Sequence, residues 1–163
     1  MKTFRDNKRR VWTLEVNVAA IKRVRGLCKV DLNSIVEVDS ENRPTAHLLE
    51  QLSSDPVLLV DVLYAICKPE ADKLGVSDED FGASMAGDAI EQATEALLDE
   101  IVDFFPSAKR QVMRKVLNAT RRFEEIARTR LDRILKDDQF EEKLVSSLEQ
   151  SNVSFGTVPE SAE

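Results

Sequence analysis

A mainly α-helical fold, a bundle of helices around one buried central helix with a small N-terminal β-hairpin, is what this sequence predicts. Three observations carry the prediction. Residues 57–67 form the most apolar run in the chain, interrupted only by Asp61 and the hydroxyl of Tyr64. A helix that is apolar nearly all round must be buried on most sides. At about three turns it is too short for a bilayer, which needs roughly 20 apolar residues. Residues 11–16 alternate between two faces with the period of a half-buried strand. From Phe81 to Leu135 apolar residues recur at helical spacing, with Pro106 as the one proline between them.

The elements follow in chain order. Residues 2–5 and 11–16 are β-prone, and Asp6, Asn7 and Lys8 between them suit a turn. Val11, Thr13 and Glu15 share one face of the second run; Trp12, Leu14 and Val16 share the other. A lone hairpin is marginal in water, so Trp12, Leu14 and Val16 should pack on helices. Asn17 suits the N-cap of a helix over 18–28, with Val18, Ile21, Val24 and Cys28 at helical spacing and Lys22, Arg23 and Arg25 outward. Residues 30–38 fit either a short extended segment or a poorly formed helix. Residues 39–44 read as a polar loop, and Thr45 as the cap of a short helix through Leu52.

For the central helix, Ser54 or Asp55 stands where an N-cap is wanted. Pro56 falls at the first helical position, where its missing N–H costs nothing. Lys68-Pro69 should stop it, because a proline disfavours helical geometry in the residue before it. Residues 70–74 are then a separate turn ended by Gly75. Ser77 caps the next helix, with Asp78, Glu79 and Asp80 in its first turn, favourable against the helix dipole. Phe81, Met85, Ala89, Ala93, Leu97, Ile101 and Phe105 follow at steps of four. Gly82 and Gly87 mark a kink or a close helix contact.

Pro106 ends that helix and Ser107 caps another. In it Val112, Val116, Thr120, Phe123, Ala127, Leu131 and Leu135 form one stripe, supported by Met113, Leu117, Ile126 and Ile134. A more acidic last helix holds Phe140, Leu144, Val145 and Leu148. Residues 1–150 thus read as one mostly helical domain (hairpin 2–16, helices 17–149), and residues 151–163 as a disordered tail.

The net charge of −7 is unevenly spread. Residues 1–29 hold nine Lys or Arg against two acids, and 107–136 ten against three; residues 77–105 hold nine acids and no base. Blocks of alternating sign attract one another within a fold or present charged faces to a partner. Residues 1–10 lack the apolar core of a secretion signal, so a cytoplasmic location is expected. Cys28 and Cys67 fit neither a disulfide framework nor a metal-binding spacing, and read as two reduced thiols.

Chemical motifs are sparse. The sequence has no Gly-rich phosphate loop, no Ser/His/Asp order and no paired-cysteine zinc pattern. His47 is the only histidine and reads as a surface residue. Asp78, Glu79 and Asp80 lack the spacing of a calcium loop. No catalytic residue, metal site or cofactor is expected. Asp61 reads as an exposed edge position of the buried helix, a partner for a basic helix, or a functional residue. The basic residues Arg114, Lys115, Arg121, Arg122, Arg128 and Arg130 offer phosphate contacts. Nucleic-acid binding is nonetheless not expected: no aromatic residue interleaves them, and the acids of 77–105 are available to neutralise them. They fit equally a solvated face or a docking surface for an acidic or amphipathic helix. Val112, Val116, Phe123 and Leu131 beside them fit either a core or the wall of a binding groove.

Four segments in order suggest a family: residues 9–16 with Trp12 in a basic hairpin, residues 17–25, the apolar run 55–67, and residues 77–91 from Ser77 to Glu91. Over about residues 2–125 this arrangement resembles the tail assembly chaperones of long-tailed bacteriophages. That resemblance implies a small, mostly helical, non-enzymatic protein of the host cytoplasm. Its partners would be the long helical tape measure protein, which it keeps soluble, and tail tube subunits. Self-association is compatible with it, and membrane association is not implied. On that reading Arg114, Arg121, Arg122, Arg128, Val112, Val116, Phe123 and Leu131 are the candidate partner-binding residues. The competing expectations are a structural head–tail connector component and a basic-face nucleic-acid binder.

Overall fold

Short runs of local chemistry start most of the elements. The computed structural model describes residues 1–35, 37–38, 40–41, 44–136 and 139–152. Strands β1 (Lys2–Arg5) and β2 (Val11–Leu14) pair antiparallel, with Phe4 opposite Trp12. Phe4, Trp12, Leu14 and Val16 are buried, as the period-two pattern predicts. The outer edge of β2 is not left open. Glu70 Oε2 accepts from Thr13 N at 2.9 Å, and the Cys67 thiol faces Thr13 O at 3.7 Å.

Asn17 caps α1 (Val18–Cys28), its side chain accepting from Ala20 N. The undecided stretch after it becomes a 3-10 turn over Leu32–Ser34, followed by a two-residue strand β3 (Glu37–Val38) paired with β4 (Pro44–Thr45). Thr45 is not the cap of the next helix: its hydroxyl points back to Glu37 O at 3.4 Å. Helix α2 (His47–Ser54) starts after Ala46 without a side-chain cap.

The central helix α3 spans Pro56–Leu74, with Asp55 as cap; Asp55 Oδ1 accepts from Val57 N at 3.0 Å and Leu58 N at 3.1 Å. Ser54 belongs to α2 instead. The expected stop at Lys68 is overturned, because Pro69 lies inside the helix. A proline there removes the N–H that would reach Ala65 O, and its ring crowds that carbonyl. Arg23, expected to face solvent, compensates from α1: its Nε donates to Ala65 O and its Nη2 to Ile66 O, both at 3.0 Å. Gly75, with φ +65°, then ends the helix in the left-handed geometry that suits glycine.

A double-mutant cycle tests this compensation. Arg23→Ala should cost about 2 kcal/mol in urea unfolding, since it strips two carbonyls of charged donors. In a Pro69→Ala background, where the restored backbone N–H serves Ala65 O, the cost should shrink by about half. An equal cost in both backgrounds would place the role of Arg23 elsewhere.

Helix α3 packs against α1, α2 and β2, and against the two helices that follow. These are α4 (Asp78–Gly82), capped by Ser77, and α5 (Asp88–Phe104). The single helix expected over 78–105 is therefore broken at 83–87. Gly87 takes φ +55° and ψ −129°, a region open in practice only to glycine. The hairpin loop bonds the backbone at the break: Asn7 N donates to Ser84 O at 3.0 Å and Asn7 Nδ2 to Ala86 O at 3.1 Å. All seven stripe residues from Phe81 to Phe105 are buried despite the break. Phe81 is the hub, with the rings of Trp12, Tyr64 and Phe4 at 4.9, 5.5 and 6.4 Å.

Pro106 separates α5 from α6 (Ser107–Leu135), and α7 (Phe140–Asn152) follows. Helix α7 takes in residues 151 and 152, where the sequence predicts a disordered tail; the tail expected over 153–163 lies outside the described residues. Contacts divide the chain into two compact units, Met1–Leu117 and Asn118–Glu163. Helix α6 contributes residues to both. The fold is mainly α with a small hairpin, and in the first unit α1, α2, α4 and α5 pack on α3.

Candidate partner-binding face

The candidate residues of α6 fall into two groups. In the first unit the helix buries Met113 and Leu117, one position along from the expected stripe. Val116 is half-buried beside Ile35, Leu49, Leu98 and Val102, so it is a core residue in large part. Val112 is 49% exposed. Three of the four cations of this stretch, Lys109, Arg110 and Arg114, make contacts within the first unit. Arg114 pairs with Asp103 at 2.5 Å. Lys109 donates to Asn33 O at 2.9 Å and lies 4.1 Å from the Phe105 ring centroid. Arg110 donates to Phe105 O at 3.0 Å. Arg114 thus makes an exposed ion pair with α5.

In the second unit none of the described residues is buried. Phe123 is 74% exposed, Leu131 59% and Leu135 64%, with Ile126 and Ile134 about half exposed. At about 100° per residue, Phe123, Ala127, Leu131 and Ile134 share one face of the helix. The core alternative for Phe123 and Leu131 therefore fails, and both stand on an open apolar stripe.

The two edges of that stripe differ. One carries Ile126 with Arg122, Arg130 and Arg133, and these line an open depression together with Glu125 and Thr129. Among the described residues, these three arginines make no ion pair. The other edge carries Glu124, Asp132, Arg121 and Arg128, and the last two have interaction partners. Arg121 and Arg128 are thus engaged, while Arg122 and Arg130 remain available. Arg133 was missed in the sequence; its offset of eleven residues from Arg122, three turns of helix, was the available signal.

Asp6 is buried at the hairpin turn. It accepts from Trp12 Nε1 at 2.9 Å, Arg10 Nε at 2.6 Å and Arg10 N at 2.9 Å, with Ser84 Oγ at 3.2 Å. Burial pushes this carboxyl up, but the bonds from Trp12 and Arg10 and the arginine charge outweigh it and hold it below the usual carboxylate range. Burial, and then the charge of Glu70, push the Cys67 thiol up to about 12, so it stays protonated. Burial, and then Asp78 and Asp55, raise Asp61, which sits on the exposed edge of α3. His47 is exposed at the start of α2. Among the described residues no group of three or more His, Cys, Asp or Glu is placed to hold a metal ion, and no helix is long and apolar enough to cross a membrane. No protein-family model, curated protein or solved structure matches the chain.

Proposed function

We propose that this protein is a non-enzymatic assembly chaperone that binds a long helical partner in the bacterial cytoplasm, of the kind that long-tailed phages use for the tape measure protein. The open apolar stripe of Phe123, Leu131 and Ile134 on α6 carries this reading. Exposed apolar surface on a helix is what a holdase needs to cover the apolar face of another helix. An apolar helical face left uncovered in the second unit also suits transient binding, in which the chaperone leaves the finished assembly.

Co-expression with the long helical protein encoded beside it tests the proposal. The partner should stay soluble and co-elute with this chain, and Phe123→Ser with Leu131→Ser should return it to the pellet. A partner that precipitates while this chain runs as a closed ring would favour a structural connector instead.

A further inference from the structure

Resting on that reading, we infer that the face selects a partner helix whose apolar stripe has carboxylates along one edge. Arg122, Arg130 and Arg133 stand on a single edge of the stripe and have no ion-pair partner among the described residues. A helix rises 1.5 Å per residue, so these charges are spaced by about 12 Å and then about 4.5 Å along the axis. A helix lying alongside matches them with acids eight and eleven residues from the first, or in the reverse order if it runs the opposite way. Arginine suits this task because its fork binds carboxylates in a fixed geometry.

The opposite edge favours a helix over other anions. Glu124 and Asp132 stand there with Arg121 and Arg128, so that edge carries no net charge where the first has an excess of arginine. An anionic bilayer beneath the helix meets both edges at once. Phosphates of a nucleic acid leave Phe123, Leu131 and Ile134 without an apolar counterpart. A protein helix supplies an apolar stripe between two edges of different charge.

The test uses the full chain and labelled helical peptides of about seven turns, followed by fluorescence anisotropy. One peptide carries a leucine stripe with glutamates along one edge; its control carries lysines there. The glutamate peptide should bind about tenfold more tightly, and the preference should vanish in Arg122→Gln/Arg130→Gln/Arg133→Gln. These positions are on the surface, and an unchanged thermal melt shows that the variant folds. Equal binding of both peptides, binding of neither, or binding only to phosphatidylglycerol vesicles or nucleic acid would overturn the inference. If the glutamate peptide binds but the long helical partner is not held soluble, the assembly role fails and the acidic-edge preference stands. If the triple variant holds that partner as well as the parent does, the preference fails and the assembly role stands.

Discussion

Leu63→Asp is expected to leave no cooperative unfolding transition. Leu63 has no exposed surface, and it lies on the helix that packs against α1, α2, α4, α5 and β2. A carboxylate there has no cation within the apolar core to pair with. An uncompensated buried charge costs several kcal/mol even after relaxation, and the lost leucine removes a further 2 to 5 or so. The sum is comparable to the whole stability of a small domain, about 5–15 kcal/mol. Leu59→Asp, at a site 1% exposed on the same helix, should behave alike. Val57→Asp is the internal control, because Val57 is 69% exposed on the first turn of α3. It should change the stability by no more than about 0.5 kcal/mol. Circular dichroism melts of the three variants decide the matter. A soluble Leu63→Asp protein with a sharp transition near that of the parent would remove α3 from the centre of the core.

Asp6→Ala is expected to be the most damaging substitution of a polar residue, at about 3 kcal/mol. The loss leaves the indole N–H of Trp12 buried without an acceptor. It also frees Arg10, whose Nη2 reaches Ser84 Oγ at 3.0 Å and so links the hairpin to the segment after α4. Asp6→Asn keeps the shape and should cost less. The pH dependence has a definite sign. A carboxyl held below its ordinary value in the folded state stabilises fully above that value and loses its contribution as pH falls through the folded one. The stability gap between the parent and Asp6→Asn should therefore be flat from neutral pH to about pH 4 and close below it. Urea midpoints across that range measure it. A gap that widened on acidification would mean that Asp6 is not the hydrogen-bonded anion at the hairpin turn.

Three helix starts were legible because capping is local. Asn17, Asp55 with Pro56, and Ser77 each satisfy an N–H two or three residues away, so their chemistry sits within one window of sequence. The hairpin was legible for a similar reason: a period of two is readable within six residues, and Trp12, Leu14 and Val16 are all buried. Thr45 shows the limit of local reasoning. Its hydroxyl had a backbone carbonyl within reach on a neighbouring strand, and that bond displaced the cap.

The face on α6 was half legible. The stripe through Phe123 and Leu131 was visible as periodicity, and so were the flanking arginines. Periodicity cannot distinguish a stripe that meets a core from one that meets solvent, because both follow the same 3.6-residue repeat. Nor does it tell an engaged cation from an available one. Arg114 lies 2.5 Å from Asp103, a partner contributed by α5, whereas Arg130, on the same helix, pairs with none of the described residues.

The sequence by itself determined the helical class, the buried centre and the hairpin. These follow from apolar periodicity and from caps whose donors and acceptors are near neighbours in the chain. Only the tertiary structure decided that α3 runs through Pro69, that the next helix breaks at Gly87, and which face of α6 is covered. The carbonyls at Pro69 are met by Arg23, 42 residues away, and the break is bonded by Asn7, 79 residues from Ala86. A backbone group released by a proline or a broken turn must find another partner. Here that partner lies on a different element, and its identity depends on which surfaces the packed core brings together.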